Sequence, residues 1–440
     1  MKQEFFFYDL ETSGLMPRED RIMQFAGQRT SLTLEPIGEP VNILVKMSDD
    51  VLPKPGAIRV TGITPQMTLM DGVSEPEFCR MAVETIFAPG TVAVGYNTVR
   101  FDDEFMRATL WRNFYDPYEW EWKDGRSRWD MLDVVRMTRA LRPEGIEWPV
   151  DAKGKATNRL ELLTKANGLS HEHAHDALSD VYATIAVARL IRERQPELFN
   201  YLFKMRNKRE VARLTSAARP FVYVSGRYSA EHGKATVVVP LGPGRNGNVL
   251  VYDLRQSPEE VLAQEKLYPT VKELCLNKCP AVAPLAVLDK DDGWAKIGLS
   301  KEVVDENYAR LLTHPELVAR ATQELTEKPE FPPAWEPEGA IYEGFLGDRD
   351  RIKAEAVRNA GVNGLADFHP DFDDARLPEL LLHYKGRNFP AALSETEAER
   401  WEDYRRARLG RQAPQFLEEL EAVQDDFVRE ELKLYYQAVM

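Results

Sequence analysis

A multidomain α/β fold is predicted for this chain, from three regions of different pattern in series. Residues 1 to about 194 alternate strand-like and helix-like segments. From about 220, short β-rich runs follow one another between Gly, Pro and Asn turns. Beyond a stretch holding three prolines at 331–339, which reads as a linker, the pattern is helical. At 440 residues the chain has length for two to three domains, each with its own core, and the pattern divides it into 1–194, 195–332 and 333–440.

The first strand lies in the run EFFFYDLETSG, where Phe5, Phe6, Phe7 and Tyr8 suit a pleated, buried surface. Asp9 and Glu11 are two apart and so share a face of that strand, at the point where it is expected to run out into solvent. A lone Asp-x-Glu is ordinarily an exposed turn. Two carboxylates held side by side repel, and a divalent cation between them relieves the repulsion. More acids appear downstream at matching places. TVAVGYN (residues 91–97) reads as a second buried strand, and VRFDDEFM after it as a helix start carrying Asp102. The segment SHEHAHDALSDVYATIAVARLIRERQPELF reads as one long amphipathic helix, with His175 at its mouth and Asp180 five residues on. Asp176 and Asp180, four apart, share a helical face.

The later regions follow from turn and cap chemistry. FVYVSGRYS, ATVVVPL and NVLVYDL read as short strands. Gly242, Gly244 and Gly247 match a dinucleotide-binding fingerprint, but they join strand to strand and so read as a hairpin loop. Ser394 and Glu397 make a capping box that opens SETEAERWEDYRRARL, with Gly410 as its C-cap.

Composition excludes several classes. No apolar run approaches the roughly 18 residues of a membrane span. Glu4 and Asp9 flank the N-terminal aromatics too closely for a signal peptide. Three cysteines in 440 residues indicate a reducing compartment, and Cys275 and Cys279 are too few for a zinc site. A cytoplasmic protein without membrane association is expected. The net charge of −14 argues against coating the whole surface with nucleic acid, so any such binding must follow one basic channel. His171, His173 and His175 faintly resemble a zinc-binding His-x-His-x-Asp-His motif, but the final residues stand in the wrong order. His171 and His173 are therefore read as loop residues.

The order strand Asp-x-Glu, strand then Phe-Asp, helix His-x-x-x-x-Asp resembles the DEDDh family of 3′→5′ exonucleases, whose first domain is ribonuclease H-like. Carried over residue by residue, the acids are Asp9, Glu11, Asp102 and Asp180, with His175 as the histidine. The resemblance implies catalysis by two magnesium ions per site, for which manganese can substitute, clamping the attacking and leaving oxygens. Asp9 is expected to bridge the metals, Glu11 and Asp180 to complete one site, Asp102 to act mainly through water, and His175 to serve as general base. Glu11 and Arg159, which precedes a helix, are the expected substrate-binding residues.

WRNFYDPYEWEW (residues 111–122) sets aromatics among Arg107, Arg112, Arg126, Arg128 and Arg136, a composition suited to stacking a single strand. The expected DNA contacts are Arg107, Tyr118, Trp122 and Arg136, with Lys208 in the basic run 204–219.

A closer resemblance, to the bacterial exonuclease I family, spans essentially the whole chain. It is carried by GYNTVRFDDE, NFYDPYEWEW, SRWDMLDV, ALRPEGIEWP, RLELLTKANG, AHDALSDVYATIA, RQPELFNYLF, NKCP (277–280) and GRNFP (386–390). It implies an exonuclease domain, an SH3-like β-rich domain and a C-terminal helical domain closing a C-shaped channel. The implied activity is processive 3′→5′ hydrolysis of single-stranded DNA to 5′-mononucleotides, in repair and recombination. The alternative is a DEDDh ribonuclease or a proofreading exonuclease. The implied partner is the acidic C-terminal tail of single-stranded DNA-binding protein, with Arg142 and Tyr201 as contacts, and a monomer suffices for such a channel.

Overall fold

The computed structural model describes residues 2–171, 176–327 and 334–440. Its first sheet has five strands in the order β3-β2-β1-β4-β5: β1 (Glu4–Thr12), β2 (Ile22–Thr30), β3 (Val41–Leu44), β4 (Thr91–Gly95) and β5 (Ser127–Asp130). The aromatic strand β1 is central, antiparallel to β2 and parallel to β4. Phe5 and Phe7 face one core, while Phe6 and Tyr8 face another, so both sides of the sheet are covered. The pairing with β4 runs only from Glu4 to Phe7, whereas that with β2 continues to Thr12. Asp9 and Glu11 thus project beyond the end of β4 while still held in register, opposite Ala26 and Gln24. Glu11 is buried and Asp9 half-buried. Contrary to the expectation from sequence, the strand does not run out into solvent there: β2 keeps it ordered past the acids.

The expected single helix from residue 170 onwards is two. One spans Ala177–Arg194 and the next Pro196–Met205. Proline disfavours helical backbone at the residue before it, and Gln195 sits at φ −133°, ψ 58° between the two. Asp176 is not part of the first helix's face: its side chain caps that helix, accepting from Ser179 N–H at 3.2 Å.

The second sheet is antiparallel throughout, in the order β10-β6-β7-β8-β9: β6 (Phe221–Val224), β7 (Ala235–Pro243), β8 (Val249–Asp253), β9 (Val271–Leu274) and β10 (Ala281–Pro284). The glycines 242–247 do lie in the β7–β8 connection. Strands β9 (VKEL) and β10 (AVAP) are no shorter than β6, but their charged residues, small residues and terminal proline leave no apolar β-branched run to stand out. This sheet shares a continuous apolar core with the first region, from Phe5 and Trp129 through Phe199 to Val222 and Val224.

The C-terminal region is helical and grips the first domain twice. Its Leu377–Asn388 helix contributes to a core containing Trp111 and Phe114. Leu409, Phe416 and Leu432, from the two last helices, pack on Met23, Leu52 and Ile58. The capping box at Ser394 and Glu397 is present, but the helix it opens runs Glu395–Glu421, straight through Gly410 and Pro414. The buried face carrying Leu409, Ala413 and Phe416 outweighs both local breakers. The described part of the stretch expected as a linker, residues 334–339, is anchored to its surroundings. Glu336 and Glu338 are buried against Arg408, and Glu338 also meets Arg21 and Arg387.

Among the described residues no helix is long and apolar enough to cross a membrane.

Candidate active site

Three elements converge where β1 outruns β4. β1 carries Asp9 and Glu11, the Asp102–Arg112 helix begins with Asp102, and the Ala177–Arg194 helix presents Asp180 in its first turn. Carboxylate oxygens of Asp9, Glu11 and Asp180 all lie within 4.8 Å of one another. Asp102 stands outside this trio and is tied to the same strand, accepting from Leu10 N–H at 3.2 Å.

The electrostatics is that of a site built for a cation. Burial, followed by repulsion from Asp102, Asp180 and Asp176, holds the Asp9 carboxyl well above the ordinary carboxylate range. Burial, then Asp9, Asp180 and Asp176, pushes Glu11 up to about 9. Burial, then Asp103, raises Asp102. Among the described residues, no lysine or arginine is one of the groups shifting Asp9 or Glu11. Clustered, mutually repelling hard oxygen donors fit a divalent metal ion.

Behind Asp102 lies a network that sequence reading missed. Asp103 accepts from the Tyr8 hydroxyl and is ion-paired to Arg128. Arg128 also donates to the Asn277 carbonyl at 3.0 Å and pairs with Glu121 at 3.1 Å. Glu121 binds Arg107 at 2.5 Å, Arg107 binds Glu104 at 2.9 Å, and Glu104 meets Lys278 and the Tyr342 hydroxyl. All three regions of the chain therefore meet one turn from Asp102. The only sequence signal was the doubled acid of FDDE.

The expected DNA contacts separate into two groups. Arg107 is a correction: it is buried, its guanidinium committed to Glu121 and Glu104, because those acids lie within reach on its own helix and the adjacent turn. Arg136 is largely covered and bound to Asp133 at 2.6 Å. Trp122 is 65% exposed, and Lys208 is exposed at a helix start. Tyr118 is half-buried, with its ring 5.6 Å from that of the exposed Phe345. The Arg159 side chain is 65% exposed and pairs with Glu161. Arg142 and Tyr201 hold the second sheet in place: Arg142 pairs with Asp291 at 3.3 Å and donates to the Val287 carbonyl, and Tyr201 donates to the Val282 carbonyl. His173 and His175 lie outside the described residues. His171, read as an idle loop residue, is buried and bonded to Asp180 at 2.5 Å.

A parallel-ended sheet that gathers acidic side chains around a cation site defines a divalent-metal nuclease. The comparisons refine that class. Residues 6–188 match the exonuclease family model, 206–327 the exonuclease I SH3-like domain and 335–437 the exonuclease I C-terminal domain. Exodeoxyribonuclease I of Haemophilus influenzae is 39% identical over 94% of this chain and 92% of its own. A solved structure of E. coli exonuclease I in complex with a dA16 oligonucleotide superposes with a TM-score of 0.94 at 36% identity, covering 100% of both chains. Another, of SSB/exonuclease I in complex with an inhibitor, gives 0.90 at 36% identity, over 100% of this chain and 99% of that one. The chain belongs to the exonuclease I family and is a 3′→5′ exonuclease.

Proposed function

We propose that this chain removes 5′-mononucleotides from the 3′ end of single-stranded DNA, using two magnesium ions at Asp9, Glu11, Asp180 and Asp102. The observation carrying this reading is the convergence of three mutually repelling carboxylates in a chain that matches its family from end to end. Asp9, Glu11 and Asp180 would hold the cation, and Asp102, oriented by Leu10 N–H, would complete the acidic rim. When bound, the cation neutralises the phosphate and stabilises the charge that develops during its displacement. His175 would accept the proton of the attacking water at a ring nitrogen, a role resting on the His-x-x-x-x-Asp spacing. Manganese, with the same ligand preferences, would support the reaction too.

Arg159, with its exposed guanidinium, is suited to the terminal phosphate. Tyr118 beside Phe345, together with Trp122, offers stacking faces, and Lys208 a backbone contact. Domains 1–194, 195–332 and 333–440 would enclose the strand in a C-shaped channel too narrow for duplex, in a cytoplasmic monomer serving repair and recombination. The related oligonucleotide complex supports the single-strand preference.

The SSB-containing relative supports SSB as a partner, and the acidic C-terminal tail of that protein is the segment the family resemblance implies. Such a tail would exchange for Asp291 on Arg142, with Tyr201 as the second expected contact. An Arg142→Ala protein that bound a tail peptide as tightly as wild type would remove Arg142 from this role.

The test of activity is a 5′-labelled single-stranded DNA followed by gel with magnesium, beside matched RNA and blunt duplex. A ladder shortening from the 3′ end on DNA alone is expected. Degradation of RNA instead would move the protein to RNA processing.

A further inference from the structure

We infer that His171 is a positioning residue for the cation site: it orients Asp180 and thereby sets the affinity of the carboxylate cluster for its metal. The inference rests on the metal reading of Asp9, Glu11 and Asp180 and goes beyond it to a residue outside the acid set.

The geometry is specific. His171 Nε2 lies 2.5 Å from Asp180 Oδ1, and the His171 side chain is 5% exposed. Its other nitrogen, Nδ1, lies 3.2 Å from Thr164 Oγ1. Thr164 is itself buried and reaches the Leu160 carbonyl at 3.0 Å and the Glu161 carbonyl at 3.1 Å, within the Leu160–Ala166 helix. The threonine hydroxyl has one proton to give. If it goes to a backbone carbonyl, Oγ1 accepts from Nδ1–H, and Nε2 must also carry a proton to bond a carboxylate. If it goes to Nδ1, the proton on the ring sits at Nε2. With Asp180 ionised, as a carboxylate holding a cation is, an Nε2–H donates to it in both arrangements.

That donation has two consequences. A hydrogen bond at Oδ1 fixes rotation of the carboxylate about its Cβ–Cγ bond, and so the direction of its second oxygen. It also brings a donor to an acid whose neighbours Asp9 and Glu11 are repelled by it. The helix carrying Thr164 is thereby linked to the helix carrying Asp180 through the imidazole. A tether that merely stapled the loop to the core would have no reason to end on the one acid of the second helix that faces the cluster.

The test uses the full-length, metal-stripped protein without DNA, titrated with Mn2+ and read by electron paramagnetic resonance of free Mn2+. Wild type, Asp9→Ala, His171→Ala, His171→Gln and Thr164→Val are compared. His171→Ala is expected to weaken Mn2+ binding by roughly 10–100-fold. His171→Gln, whose amide N–H can take the place of Nε2–H, should stay within a few-fold of wild type, with Thr164→Val between them. Equal affinity for wild type and a folded His171→Ala protein overturns the inference, as does a glutamine variant no better than alanine. Should His171→Ala not fold, Thr164→Val decides: unchanged affinity overturns the proposal and weakened affinity supports it. If wild type binds no Mn2+, or Asp9→Ala binds it as well as wild type does, the carboxylate reading falls and His171 with it.

Discussion

Each acid at the site has a position that explains its behaviour. Asp9 and Glu11 both sit on β1 opposite β2 residues and feel Asp180, but Asp9 alone of the two is also repelled by Asp102, so its removal should be the most damaging. Asp9→Ala is expected to abolish cleavage while leaving single-strand binding within a few-fold of wild type, measured by gel assay and fluorescence anisotropy; residual cleavage near wild-type rate would sink the assignment. Glu11 supplies a pH prediction. Its ordinary value of 4.5 is raised to about 9 in the metal-free fold, so folding favours the protonated form. The stabilisation is therefore complete below about pH 4.5 and is lost as pH rises towards 9. In EDTA, the melting temperature of wild type should fall relative to Glu11→Gln between about pH 5 and pH 9, and divalent metal should close the gap. Parallel melting curves for the two proteins would contradict this.

At the level of elements, the site depends on how chain segments stop. β4 ends at Gly95, and a left-handed Asn97 (φ 71°) then turns the chain into the helix that carries Asp102. A Cβ at Gly95 would overlap Thr98 Cγ2 and lie 2.9 Å from the Tyr8 carbonyl oxygen. Gly95→Ala should therefore cost about 1–3 kcal/mol, read by urea unfolding, and should lower the cleavage rate because Asp102 follows directly. An alanine protein as stable and active as wild type would show that this close approach is dispensable. Pro196, by contrast, is a true stop although the apolar periodicity continues across it. Gly410 and Pro414 show the reverse: both look like stops, yet packing on the first domain carries the helix past them.

Across the whole molecule, a buried charge cluster joins the first and third regions. Asp50 bonds Arg387 at 2.7 Å and Arg21 at 3.3 Å, and Arg21 and Arg387 both reach Glu338. Burial alone would raise the Asp50 carboxyl, but Arg387, Arg21 and Arg408 overcome it and hold it well below the ordinary range. Replacing Asp50 with Asn leaves those guanidinium groups short of a counter-charge in the interior. A loss of about 3–5 kcal/mol is expected from equilibrium unfolding. Because Asp50 lies on the first region and its partners Arg387 and Arg408 on the third, that variant should also loosen the third region's grip on the first. Limited proteolysis after residue 334 should then quicken; unchanged cleavage kinetics would argue that the apolar contacts alone hold the two together.

The sequence could single out Asp9, Glu11 and Asp180, whose oxygens the fold gathers, and Asp102 beside them, because their local elements are short-range properties: two-residue spacing on a strand, an acid at a helix start, an acid in the first turn of another helix. The three-region architecture was readable for the same reason, since periodicity changes are local. What only the tertiary structure decided involves pairs distant in sequence. Asp103 with Tyr8 and Arg128, Arg107 with Glu121, His171 with Thr164 and Asp180, and Arg21 with Glu338 each depend on which segments the fold brings together. A charged side chain looks the same in a sequence whether it faces DNA or a buried partner. Desolvation and pairing decide which, and both are properties of the packed chain.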